Sequence, residues 1–436
     1  MNNPFILSVS ASGVNFVGRA REIRRIVSRV AGGGQSVAIT GEPRIGKTTL
    51  LRYLYNPDRQ AELFGDLAPH LLTQYIDVQT FGPTFDQGQF WQIALQPLAE
   101  KLIESSQSTL CAAYDTCKSE GFSVFNIERL LAQMQLLGWR LVILLDEFDN
   151  LLNHPTLHQA EFYGGLRSLA SRYESLALVT ASRQPLEILN ETTREYSKLG
   201  SPYFNFMTPV VLGMLEKKDV LQLLKAGEAH FSLQDYEFIY SNAGGHPYLL
   251  KIAASGLWDA YEDSETDSLL RWEIAARELL YAAHPVLSDT WRLWTIETRK
   301  AIITIALDTI PGLVSNKEFD IDSLLKSFAD YIPEVDELRK RGFLVQDTGM
   351  RTGYRLQAQI MLWWLASELF RSFRSQNDND LGDWLRTQEW DGIIKGEEKA
   401  QLKKALTSLG GLHKNGVESF IKASAESFAK GLTGVK

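Results

Sequence analysis

One stretch constrains this chain more than any other: Gly41-Glu42-Pro43-Arg44-Ile45-Gly46-Lys47-Thr48-Thr49. It fits the spacing G-x-x-x-x-G-K-[ST], follows a short apolar strand expected over Ser36 to Thr40, and leads into a helix. The spacing has a physical reason. Glycines let successive backbone N–H groups turn inward around phosphate oxygens at a helix N-terminus. Lys47 then reaches the outer phosphates and the Thr48 hydroxyl holds Mg2+, so all the residues from Gly41 to Thr49 are candidate phosphate contacts. A chance glycine loop is the competing explanation, and the strand-to-helix context argues against it.

A second element is independent of the first. Leu141-Val142-Ile143-Leu144-Leu145 is apolar on both faces, too short for a helix, and ends in Asp146-Glu147. At the tip of such a strand Asp146 binds Mg2+ through water, and Glu147 polarises an attacking water as general base. Taken alone, the same run is also an ordinary buried strand with a solvated acidic end. Around it the pattern alternates. A helix over 19 to 31 stops at Gly32-Gly33-Gly34. Further strands are expected over Gln74 to Val78, Leu176 to Thr180 and Thr208 to Leu212. Helices are expected at about 126 to 137, with an Asn cap, and near 158 to 173. Strand–helix alternation of this kind makes an α/β fold with a buried parallel sheet.

Together these residues resemble the P-loop ATPases of the AAA+/STAND group, especially their AAA-like bacterial and archaeal members, over about residues 13 to 370. Asn15-Phe16-Val17-Gly18-Arg19 is similar to the family's F-V-G-R motif, which implies that Val17 lies against an adenine base. Leu178-Val179-Thr180-Ala181-Ser182-Arg183 resembles the sensor strand, whose terminal arginine, here Arg183, reads the γ-phosphate. A guanidinium suits that task, because it forms paired hydrogen bonds to oxygens present in ATP and missing in ADP. Gly244-Gly245-His246-Pro247 resembles the lid motif, which implies that Pro247 packs on the adenine. Plain helix initiation would also place a proline there. His246 is expected to satisfy a local hydrogen bond and has no catalytic role. The resemblance thus implies ATP or ADP with Mg2+, with Lys47, Glu147 and Arg183 catalytic and Thr48 and Asp146 at the metal. Asp146-Glu147 departs from the paired aspartates of many STAND members and implies turnover. Arg194 is the nearest arginine to a finger position, at loose spacing.

The same reading divides the chain into a P-loop ATPase core (1–213), a helical lid (214–290), a winged-helix domain (291–374) and a linker with a helical tail (375–436). In the winged-helix segment three helices precede a hairpin, and Arg339, Lys340, Arg341, Arg351 and Arg355 stand where DNA phosphates could be met. Glu334, Asp336 and Glu337 oppose that field. The tail carries Val417, Phe420, Ile421, Ala425 and Phe428 at helical spacing. This stripe suits a partner protein, a second copy of the chain, or docking on its own protein. Net charge is −8, from 45 Lys+Arg and 53 Asp+Glu, so nucleic-acid binding needs a local argument. No apolar run approaches the roughly 18 residues that span a bilayer, and Met1-Asn2-Asn3-Pro4 has no secretory character. Cys111 and Cys117 have no metal-ligand spacing. A cytoplasmic ATP-binding switch is the expectation, with a DNA-binding ATPase as the alternative.

Overall fold

The structure is a computed structural model and describes residues 2–5, 16–103, 108–194, 202–309 and 322–373. The tail helices expected after 375 lie outside the described residues. Two compact units are present. One contains the described residues of 16–42 and 46–212; the other contains 2–5, Pro43–Ile45 and the described residues from 213 onward.

The first unit is built on a sheet of five parallel strands: β1 (Val37–Gly41), β2 (Leu71–Asp77), β3 (Arg140–Asp146), β4 (Leu176–Ser182) and β5 (Thr208–Leu212), in the order β2-β3-β4-β1-β5. Strand position explains composition. In the interior, β1, β3 and β4 are buried almost throughout, which is why they read as continuous apolar runs. The edge strands β2 and β5 are only partly buried, and Pro209 sits in β5 at the edge, where a missing N–H is tolerated. β2 begins at Leu71, earlier than expected, because its half-buried Thr73, Gln74 and Tyr75 blur the apolar signal. The helix before β3 runs Val124–Leu136 and is capped by Ser123, which accepts from Asn126 N–H at 3.4 Å; Asn126 is therefore inside the helix and not its cap.

The sheet's register brings its chemistry to one end. Thr40 pairs with Ser182, Leu145 with Thr180 and Asp77 with Asp146, so Gly41, Asp146 and Ser182 all finish at the C-terminal edge. That edge is where parallel α/β sheets bind ligands.

The second unit is helical. Lys217–Leu224, Leu233–Ala243, Pro247–Glu262 and Ser268–Leu293 pack around an apolar core that also takes in Phe5, stacked on Phe231 at 5.5 Å. Asn3 donates to Ser255 Oγ at 2.9 Å and to Asp259 Oδ1 at 2.8 Å. Helices Ile296–Thr309, Asp322–Phe328 and Ile332–Lys340 follow. An antiparallel pair, β6 (Leu344–Gln346) and β7 (Tyr354–Leu356), and the helix Gln359–Phe373 complete it. Trp363 and Trp364 are buried in the same core. Among the described residues no helix is long and apolar enough to cross a membrane.

Candidate functional site

The loop between β1 and the helix Lys47–Tyr55 owes its path to backbone freedom. Gly46 caps that helix at φ 105°, a value that favours glycine, and Arg44 takes φ 58°. Lys47 is the first helical residue and is buried to 8% exposure. Its Nζ donates to the carbonyls of Gly41 at 2.9 Å and Glu42 at 3.0 Å, so the ammonium is held over the loop itself. Burial lowers its pKa to about 8, against the opposing pull of Glu147, Asp149 and Asp146. Thr48 and Thr49, on the first turn, are half-buried.

At the tip of β3 the Asp146 carboxylate is 3% exposed. Its Oδ1 accepts from the Glu147 N–H at 3.1 Å and its Oδ2 from the Tyr75 hydroxyl at 2.8 Å. Glu147 turns the chain in a left-handed conformation (φ 49°), uncommon outside glycine. Its Oε2 meets an Arg183 guanidinium nitrogen at 3.2 Å. Burial pushes the Glu147 carboxyl above its usual range, while Arg183 and Lys47 draw it back. Arg183 is partly exposed, just beyond β4. The sequence-derived residues Lys47, Asp146, Glu147 and Arg183 are thus brought into one electrostatic neighbourhood. Donor chemistry fits a divalent ion of the Mg2+ kind: one hydroxyl and one carboxylate, the remaining positions being phosphate and water. Among the described residues no group of three or more His, Cys, Asp or Glu side chains is arranged to hold a metal alone.

Pro43, Arg44 and Ile45 belong to the helical unit. There His246, the cap of helix Pro247–Glu262, points Nε2 at Pro43 O (3.2 Å), 203 positions away in the glycine loop, where a local hydrogen bond was expected. Arg44 lies over the Tyr248 ring at 4.5 Å. Gly245 is required by close approach, since a Cβ there would collide with the Leu215 carbonyl. Pro247 occupies the first helical turn, and Val17 lies in the other unit, beside Phe16, whose ring stacks on Tyr53 at 4.4 Å.

The sequence reading missed Tyr75 and Asp149. Tyr75 belongs to a strand whose pairing is non-local, and its hydroxyl is pushed upward by burial and the Asp146 bond. Asp149, in the short helix Phe148–Asn153, acts on both Lys47 and Glu147. A third acid two residues after Glu147 was the available signal.

The basic residues of the hairpin segment are less available than their spacing implied. Arg339 pairs with Asp336 at 3.2 Å and Arg355 with Asp347 at 3.2 Å. Arg341 is half-buried, and desolvation lowers its pKa to about 10.

A five-stranded parallel sheet with a glycine loop after β1 and an acid at the tip of β3 defines a P-loop NTPase-like fold. The AAA-like domain family matches residues 7–310, well over half of the chain. The chain belongs to that family and is a P-loop ATPase of AAA-like type. No curated protein matches it. Among solved structures it is similar to the Walker-type ATPase of Pyrococcus abyssi, at 13% identity and a TM-score of 0.49, over 83% of this chain and 99% of that one. It is also similar to the ORC2 protein of Aeropyrum pernix, solved as ADPNP–ADP complexes, at 14% identity and a TM-score of 0.47, over 82% and 97%. A STAND protein with a tetratricopeptide repeat sensor from Pyrococcus horikoshii matches at 14% identity and a TM-score of 0.31, over 99% of this chain and 61% of that chain.

Proposed function

We propose that the chain is an ATP-binding, slowly hydrolysing molecular switch whose nucleotide state biases the packing of its modules. The observation that carries the reading is the Glu147–Arg183 pair at 3.2 Å, beside the buried Lys47. Paired with a guanidinium, the Glu147 carboxylate is a weaker base. A γ-phosphate competes for the same guanidinium, so the group that distinguishes ATP from ADP also releases the base. Charge gained at the phosphate and charge freed at Glu147 are therefore coupled through one side chain.

In this proposal Gly41 to Thr49 cradle the phosphates, with Lys47 as their cation, and Val17 and Pro247 contact the base. Thr48 and Asp146 hold Mg2+, which when bound neutralises charge on the outer phosphates. Glu147 takes the proton of the attacking water. The division into ATPase core, helical lid, winged helix and tail is part of the same proposal, as are cytoplasmic location and assembly or partner recruitment through the C-terminal segment. A switch of this kind needs affinities for nucleotide that differ between its two states, by a few kcal/mol. The duplex-binding alternative is less favoured, because Arg339 and Arg355 are paired with acids and Arg341 is half-buried, although Lys340 and Arg351 are exposed.

Phosphate release by wild type, Glu147→Gln and Arg183→Ala tests this. Glu147→Gln should retain ATP binding and lose about 10²–10⁴-fold in turnover. Arg183→Ala should bind ATP and ADP with nearly equal affinity. Equal, near-background rates in wild type and Glu147→Gln would withdraw the general base and leave a nucleotide-stabilised scaffold.

A further inference from the structure

A buried carboxylate points only where its donors allow, because an unsatisfied oxygen out of water is costly. For Asp146 one donor is the neighbouring Glu147 N–H, supplied by the turn itself. The other, the Tyr75 hydroxyl at 2.8 Å, comes from the edge strand. β2 and β3 are parallel, with Tyr75 opposite Leu144 and Asp77 opposite Asp146, so Tyr75 and Asp146 share a face of the sheet, one pair apart on the diagonal. The Tyr75 ring is held in turn from the phosphate-loop helix: the Arg52 guanidinium lies over it at 5.5 Å and the Tyr55 ring at 6.1 Å. Arg52 thus ties the helix that begins with Lys47 to the strand tip that carries Asp146.

We propose that Tyr75 is a positioning residue for the divalent ion that accompanies the nucleotide, its hydroxyl fixing the orientation in which Asp146 meets that ion while Arg52 fixes the ring. This rests on the reading of the loop as a Mg2+–nucleotide site. A phenylalanine at position 75 keeps the ring and its stacking cation but leaves Oδ2 without its donor. Removing the partner that orients a metal ligand typically weakens metal affinity 10–100-fold. Nucleotide contacts made by the loop amides and Lys47 do not pass through Tyr75, so the effect is confined to the part of binding that depends on the ion.

The test uses the full chain and ADP as probe, titrated by calorimetry at a series of free Mg2+ concentrations and again in excess chelator. Tyr75→Phe should raise the free Mg2+ giving half-maximal tightening of ADP by about 10–100-fold, with affinity in chelator unchanged. A wild type that binds no ADP, or binds it without regard to Mg2+, overturns the reading of the site itself. A wild type that responds to Mg2+, together with a Tyr75→Phe protein that responds identically, overturns the role of Tyr75 and leaves the site standing. Weakened binding in chelator to the same degree as in Mg2+ also overturns it, since that is the pattern of a purely structural residue. If Tyr75→Phe does not fold, Arg52→Gln decides. It should shift the same midpoint by about 2–5-fold, the worth of one cation over an aromatic ring, and no shift rejects the proposal.

Discussion

Two buried aspartates, one in each unit, meet the same desolvation problem in different ways. Asp235, 1% exposed in helix Leu233–Ala243, accepts from Ser232 N–H (2.8 Å), Ser232 Oγ (2.8 Å), the Tyr261 hydroxyl (2.7 Å) and Trp272 Nε1 (2.8 Å). A carboxylate has about four acceptor positions; here three donors converge on Oδ2 and the fourth, Trp272, meets Oδ1. Asp146, 3% exposed, has the donors Tyr75 and Glu147 and no more from the described residues. The first is a structural hub, bound by four donors of the fold itself. The second is oriented but half-satisfied, at the strand edge where the phosphate loop also ends. Burial alone does not separate the two; the number of donors does.

The contrast predicts opposite outcomes from one substitution. An asparagine has a single acceptor oxygen, and its NH2 turns donors toward donors. In Asp235→Asn at least one of the four donors loses its partner, either the buried Trp272 N–H on Oδ1 or the three that converge on Oδ2. The helical unit should lose about 3–5 kcal/mol of unfolding stability by calorimetry or urea titration. Asp146→Asn keeps an acceptor for one of its donors and should lose only about 1 kcal/mol, with the damage appearing in Mg2+-dependent nucleotide binding. Equal stability losses would erase the distinction.

Asp146 was legible in sequence and Asp235 was not, and the reason is physical. Central parallel strands read as unbroken apolar runs, so the tips of β1, β3 and β4, and with them Gly41, Asp146, Glu147 and Arg183, could be located from residues alone. What surrounds those tips comes from pairing register and helix packing, which one sequence does not encode locally. Tyr75 reaches Asp146 from 71 positions away, and Trp272 reaches Asp235 from 37. Helix ends failed for a related reason. A proline in the interior would be expected to end a helix, yet Ser268–Leu293 runs through Pro285, because Val286, Leu287 and Thr290 beyond it are buried and that packing outweighs the hydrogen bond the proline removes. The acid that opposes Arg339 was legible three residues before it, as Asp336, whereas the pairing of Arg355 with Asp347 depends on the hairpin.

Lys47 sharpens the contrast from the cationic side, as a buried charge whose desolvation opposes the fold. Its folded pKa of about 8 lies below the ordinary lysine value of 10.5, so between those values the unfolded chain binds more protons. Stability of the wild type should therefore rise as pH increases through that window, and the ammonium opposes folding below it. Lys47→Met keeps the apolar stem without the charge. It should be more stable than wild type at pH 7, by at most about 3 kcal/mol, with the advantage fading between pH 8 and 10.5. An advantage that does not change with pH would mean that the loop carbonyls of Gly41 and Glu42 already compensate the charge in full.

The smallest expected effect separates a hub from a simple helix cap. Ser232 caps helix Leu233–Ala243 through a reciprocal box, accepting from Asp235 N–H while Asp235 accepts from Ser232 N–H, and its hydroxyl also donates to the Asp235 carboxylate. Ser123 only caps, with one long bond of 3.4 Å. Ser232→Ala should cost about 1–2 kcal/mol and Ser123→Ala about 0.5 kcal/mol, both read from urea midpoints. Part of the Ser232 cost belongs to the pair, so it should shrink by about 0.5 kcal/mol or more when Asp235 is already asparagine. Additive losses in that double variant would mean that the Asp235 donors act independently, and the donor count would no longer mark a hub.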